Sequence, residues 1–261
     1  MASAVGGDFI YIDGQYRMLM GNPLSDDSTL FAKVDVLFPE DRVFISSDPD
    51  NTVVFWSVLN GQLCLDSIYA YINDTIWGKP VASKDLQRIF HDFYKDGHIV
   101  ASWLTRDIRV PLGKQMIYYQ HMGFERYYDK ELVLSVENGL VTQQKLFKNR
   151  IATKGFSLDK PKKRQKAFAK CKLSIEHYPE LVDEQKMFFQ INGIKINSFG
   201  YITDCRVTVV RPLTPDGNFG YYDLAEEFRA YLMTLRWKTF LINGVYRLEY
   251  DNFVIPYDMK H

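Results

Sequence analysis

The chain has 261 residues, zero formal net charge and three cysteines, with 46% hydrophobic and 15% aromatic side chains. That size and apolar content support a core without covalent staples, and the odd, widely spaced set Cys64, Cys171 and Cys205, with no CxxC, excludes a disulfide framework and a zinc site of paired cysteines. Zero net charge argues against a globally basic nucleic-acid binder, and no stretch approaches the ~20 apolar residues of a membrane span.

The opening "MASAVGGDF" has neither the charged nor the apolar region of a signal peptide. It reads as a cytoplasmic protein, or as a periplasmic one if a leader precedes this sequence. Turn dipeptides then punctuate the chain, because Asn or Asp followed by Gly supplies the two positive φ angles of a type I′ hairpin. "FIYIDGQYRML" predicts a hairpin at Asp13-Gly14. "VVFWSVLNGQLCL" predicts a second at Asn60-Gly61, with Val54, Trp56 and Val58 alternating ahead of the turn. "SKDLQRIFHDFYKDG" predicts a helix over about 83–96, with Leu86, Ile89, Phe90 and Phe93 as its apolar stripe. Ser83 reads as its N-cap and Asp96-Gly97 as its end rather than as a hairpin. "ELVLSVENGLVTQQ" predicts a third hairpin at Asn138-Gly139, with Leu132, Leu134 and Val136 on one face. Residues 1–150 thus predict a mainly antiparallel β domain with one helix.

Charge is segregated beyond this point. From Lys148 to Lys170 there are nine Lys or Arg and one acid, Asp159. A phosphate- or acid-binding patch is one reading. The other is a basic linker, 151–164, leading into a helix with Phe168, Cys171 and Ile175 on its apolar side and Pro179 at its end. Nucleic-acid binding is disfavoured, because the aromatics that stack bases are sparse in the run.

Residues 165–261 predict a smaller α+β domain of two helices and three strands. "QKMFFQINGIKI" puts Met187, Phe189 and Ile191 on one face and changes parity after Asn192-Gly193, the mark of a bulge rather than a reversal. The reversal falls at Asn197–Gly200, and "YITDCRVTVVR" alternates after it. "DLAEEFRAYLMTLRW" predicts an amphipathic helix with Leu224, Phe228, Tyr231/Leu232 and Leu235 on one face, and Asp223 with Glu226 resembles a capping box. A turn at Asn243-Gly244 and a last strand, "VYRLEYDNFVIPY", follow.

The pattern G-x-I-x-D-x-x-V at Gly200, Ile202, Asp204 and Val207, the helix, Trp237 directly after it, the Asn-Gly and a closing strand near a proline resemble the TonB C-terminal domain family. Tyr178-Pro179 upstream fits the same pattern. The resemblance covers about residues 165–258. It implies a small α+β module whose sheet edge pairs with an extended segment of a protein partner. The membrane anchor and proline-rich spacer of the TonB energy transducer have no counterpart in this sequence. The first half is similar, more loosely, to a bacterial family to which no activity is attached, through Trp56, "NG-x-L-x-L" from Asn60, Trp103, "R-x-P-x-G" from Arg109, "Y-x-HMG" from Tyr119, and Tyr128.

No HExxH, Walker loop, GxGxxG or GxSxG is present, so no cofactor or metal site is expected and no catalytic residue is assigned. The densest polar-aromatic stretch runs from Gly97 to Glu131. As a binding surface it offers Trp103, Arg106, Arg109, Tyr119, His121 and Arg126, the residue types that make binding hot spots. A catalytic alternative makes His121 a general base oriented by Asp107 or Glu125, with Arg109 holding an anion. The fold class is therefore α+β. The leading functional expectation is a non-catalytic bacterial interaction protein, engaging a protein partner through a sheet edge or through this surface. The alternatives are an immunity protein that neutralises a toxin and a hydrolase built on His121.

Overall fold

The computed structural model describes residues 7–38, 52–71, 77–117, 126–181, 184–214, 217 and 220–259, the side chains of Tyr71 and Trp77 excepted. Its contacts divide the chain into two units, Met1–Lys148 and Asn149–His261. Both mix helices with mostly antiparallel strands, an α+β architecture.

In the first unit, β1 (Phe9–Ile12) and β2 (Gln15–Met18) form the Asp13-Gly14 hairpin, with φ of 50° and 80° at the two turn residues. The Asn60-Gly61 hairpin joins β3 (Thr52–Leu59) to β4 (Gln62–Tyr71). β1 and β3 pair in parallel, which local alternation in the sequence does not reveal. β5 (Trp77–Pro80), β6 (Tyr94–Lys95) and β7 (His98–Val100) attach along β4. β8 (Arg106–Pro111) is followed by the short pair β9 (Gln115–Ile117) and β10 (Tyr127–Tyr128). β11 (Lys130–Glu137) and β12 (Leu140–Lys148) form the Asn138-Gly139 hairpin. The main sheet runs β2-β1-β3-β4-β12-β11-β8 and curls until its ends meet, where Met20 bridges Arg109.

Two helices line this core. α1 (Ser28–Asp35) is absent from the sequence reading, although Asp27 caps it in the usual way, its carboxylate accepting from the Thr29 and Leu30 amides at 2.9 and 3.0 Å. α2 (Ser83–Ile89) is half the expected length. Its cap position is Ala82, and a short 3-10 turn over His91–Phe93 follows it. Asp96-Gly97 turns the β6–β7 hairpin at φ of 50° and 88°, so type I′ turn chemistry prevails over helix continuation. Leu30, Val34, Leu86, Ile89 and Phe90 nonetheless pack into one core with Ile10, Trp56, Leu63 and Leu134.

Among the described residues the second unit carries six strands, five of them within 165–261, where three were expected. β13 (Arg150–Thr153), β16 (Thr239–Ile242) and β17 (Val245–Arg247) make one small sheet, in the order β13-β16-β17. β14 (Lys186–Ile196), β15 (Ile202–Arg211) and β18 (Phe253–Asp258) make another, in the order β15-β14-β18. The expected single last strand is therefore two, because 245–247 completes the β16 hairpin while 253–258 crosses to pair with β14. Register along β14 and β15 slips between Asn192 and Lys195, with Gly193 at φ 62°, so Asn192-Gly193 is a bulge inside β14.

α3 (Pro161–Phe168) stops before Cys171 and Ile175, which enter the core region from irregular backbone. α4 (Tyr222–Thr234) covers the β15-β14-β18 sheet. Phe228 stacks on Phe189 at 4.2 Å, and Leu224, Phe228 and Leu232 are fully buried with Met187, Phe189 and Ile191. Its cap position is Tyr221 in the left-handed region (φ 60°, ψ 43°) with no side-chain cap bond, so Asp223 and Glu226 do not make a capping box. Burial of Tyr221 holds it in that conformation against its intrinsic cost.

Candidate functional site

The aromatic and arginine-rich stretch of the first unit is mainly structural where it is described. Trp103 sits among Trp56, Phe90 and Phe93 at ring distances of 6.3, 5.6 and 4.9 Å. Its indole N–H donates to Pro23 O at 3.0 Å, as a part-buried Trp requires. Arg106 is exposed and pairs with Asp26 at 2.8 Å. Arg109 lies over the Tyr127 ring at 4.5 Å, donates to Arg126 O at 3.1 Å, and approaches Glu131 at 3.4 Å. Arg126 is itself buried, so it faces the interior rather than a recognition surface.

Glu131, which the sequence reading passed over, is the centre of this group. It is 0% exposed and also accepts from the Tyr128 amide at 2.9 Å. Strand alternation could have found it, because it shares a face with Val133, across from Arg109. Tyr119, His121 and Glu125 lie outside the described residues, and Asp107 is exposed on β8. Of the His121 arrangement, only Asp107 and Arg109 are described, and Arg109 is engaged with Tyr127, Arg126 O and Glu131.

Two of the open clefts among the described residues of the second unit carry charged side chains on the β15-β14-β18 sheet. The first, about 540 Å³, lies where the Asn192-Gly193 bulge meets α4. The bulge sets Lys195 opposite Asp204, 3.2 Å apart, and Arg229 of α4 reaches Asp204 at 3.3 Å and Glu226 at 3.3 Å. Hydrogen bonds from Lys195 and Arg229 hold the Asp204 carboxyl below its ordinary pKa. Lys195 and Arg229 are thus engaged by Asp204 and Glu226, while Arg206, which also lines the cleft, has no carboxylate partner among the described residues.

The second cleft, about 270 Å³, lies between α3 and the edge of the β15-β14-β18 sheet. Lys162, Arg164, Gln165 and Phe168 line it from the helix, Lys186 from β14, and Pro256 and Asp258 from β18. Its one acid, Asp258, faces Lys186 at 3.8 Å. Lys162 and Arg164 have no carboxylate partner among the described residues. α3 also carries no acid in its first turn and four bases in eight residues, a distribution that the helix dipole disfavours at its N-terminal end.

Backbone parity shows what β18 offers to this cleft. Met259 N donates to Gln185 O at 3.0 Å, and the register continues Asp258↔Lys186, Tyr257↔Met187. Antiparallel pairs alternate between bonded and non-bonded, so Tyr257, Ile255 and Phe253 bond to β14, while Val254, Pro256 and Asp258 turn their polar groups outward. Pro256 falls where its missing N–H removes no ladder bond, the position that edge prolines take. The outward amides of Val254 and Asp258 have no partner among the described residues. β14, by contrast, has a strand on each side, so 187–196 offers no open edge.

No group of His, Cys, Asp or Glu suited to a metal ion occurs among the described residues, and none of their helices is long and apolar enough to cross a membrane. Comparison of the chain with family models, with curated proteins and with solved structures finds no match.

Proposed function

We propose that this chain is a non-catalytic interaction protein whose second unit is a TonB C-terminal-like module, and that it takes an extended segment of a protein partner onto the outer edge of β18. The observation that carries the reading is the pair of outward, unpartnered amides at Val254 and Asp258 on a strand with only one neighbour. An edge of this kind is a template for strand addition, in which main-chain bonds give affinity and alternate side chains give specificity. From α3 the order is helix, strand, strand, helix and then three strands; β14 central in its sheet and α4 on one face support the family resemblance, while the β16–β17 hairpin adds to the expected single closing strand.

The opposite edge is less available. On β15 the outward carbonyl of Cys205 is already taken by Arg229 Nε–H at 2.8 Å. The toxin-neutralising alternative is a special case of the same binding and is separated from it by what the adjacent gene encodes.

The test is retention of partners from host extract on the immobilised full chain and on Val254→Pro. That substitution removes one outward N–H and leaves every β14–β18 ladder bond in place. A partner held by the wild type and lost from the variant supports the reading. Equal recovery on both sinks it.

A further inference from the structure

Part of β18, at Pro256 and Asp258, lines a cleft whose charge is unbalanced. Lys162, Arg164 and Lys186 line it against a single carboxylate, Asp258, which is already engaged by Lys186. The rest of α3 adds Lys163 and Lys166, also without partners among the described residues. All of these lie on or beside an eight-residue helix about 12 Å long, so their fields overlap within roughly one Debye length at physiological salt.

We infer that the segment received at this edge is acidic, an extended peptide with Glu or Asp at alternate positions facing α3 and apolar or β-branched residues between them. This rests on the strand-addition reading above and names the chemistry of its partner. Alternate residues of a strand point to one side, so a strand added to β18 turns every second side chain toward the helix. Cations without internal partners, beside an edge with free amides, match that pattern in charge and in geometry. In the cleft at Asp204, Lys195 and Arg229 are already engaged by carboxylates, and Arg206 alone among its lining cations has no such partner among the described residues.

The experiment is selection of a displayed random dodecapeptide library on the full chain, followed by titration of one enriched peptide. The expected result is enrichment of acids at alternate positions. Binding of that peptide shifts the Val254 and Asp258 amide resonances. It weakens about tenfold in the variant K162E/R164E, whose two reversals replace attraction with repulsion. The reversals put carboxylates where the helix dipole favours them, so α3 is not lost in the variant.

Peptides that bind at Val254 and Asp258 without acidic bias, and equally well to K162E/R164E, overturn the inference and leave the edge reading intact. Absence of any shift at those amides with any enriched peptide overturns both. Acidic peptides that bind without shifting the two amides, and are displaced by a single-stranded oligonucleotide, identify a plain polyanion surface and also overturn the inference.

Discussion

Arg229 reaches from α4 to the backbone of β15, its Nε–H donating to the carbonyl oxygen of Cys205 at 2.8 Å. One side chain thereby holds the helix to the strand and occupies an outward acceptor of an edge that is otherwise free to pair. Its other nitrogens meet Asp204 and Glu226. Arg229→Leu is expected to lower the unfolding free energy by about 1 kcal/mol at neutral pH, the net value of such bonds at a partly exposed site. Because the Asp204 carboxyl is held below its ordinary pKa, its share of this stability is present above the carboxylate range and is lost as pH falls through the folded value. Urea titrations of wild type and variant should therefore draw closer only below the ordinary value of 3.8, the bond to Cys205 O keeping part of the difference. A difference that grows on acidification contradicts the assignment.

Gly200 and Gly193 both sit at positive φ, 90° and 62°, yet their surroundings differ. A Cβ at Gly200 would stand 2.7 Å from Trp237 O and 2.9 Å from Thr153 Cγ2, whereas nothing lies within 4 Å at Gly193. Gly193→Ala should cost only the left-handed backbone penalty, about 1 kcal/mol. Gly200→Ala adds overpacking against backbone and should cost about 3 kcal/mol. Chemical denaturation of the two variants reads the contrast directly, and equal losses would refute it.

Glu131 is fully buried and accepts from the Tyr128 amide and Arg109. Removing it takes away the carboxylate that a mostly buried guanidinium approaches. Glu131→Ala is expected to destabilise the first unit by about 3 kcal/mol, and Arg109→Leu in the same background to recover part of that loss. Strict additivity in the double-mutant cycle would show that the pair is not coupled.

Cys64, Cys171 and Cys205 are all buried, and burial raises each thiol pKa, that of Cys171 to about 12 with Glu227 adding to the effect. The thiolate is the reactive form, so at pH 8 the native chain should leave an aromatic disulfide reagent unreacted, while all three thiols titrate in denaturant. A thiol that reacts at once in the native protein would contradict this placement.

What the sequence determined by itself is local. Asp13-Gly14, Asn60-Gly61, Asn138-Gly139 and Asn243-Gly244 turn hairpins because positive φ is written into the dipeptide, and the amphipathic stripe of α4 announces its buried face. The Asn192-Gly193 bulge was legible from a change of parity, since the side-chain period of a strand is fixed at two. Tertiary structure decided which strands meet. The parallel pairing of β1 with β3, the crossing of 253–258 to β14, and the burial of Glu131 and Arg126 depend on contacts distant in the chain, which no local period encodes. The cleft beside β18 shows the same division. Its basic run was visible at once, but that Lys162 and Arg164 line one cleft with Lys186, Pro256 and Asp258 follows only from the tertiary fold. Propensity and turn chemistry act over a few residues. Burial and charge compensation are settled by the whole fold.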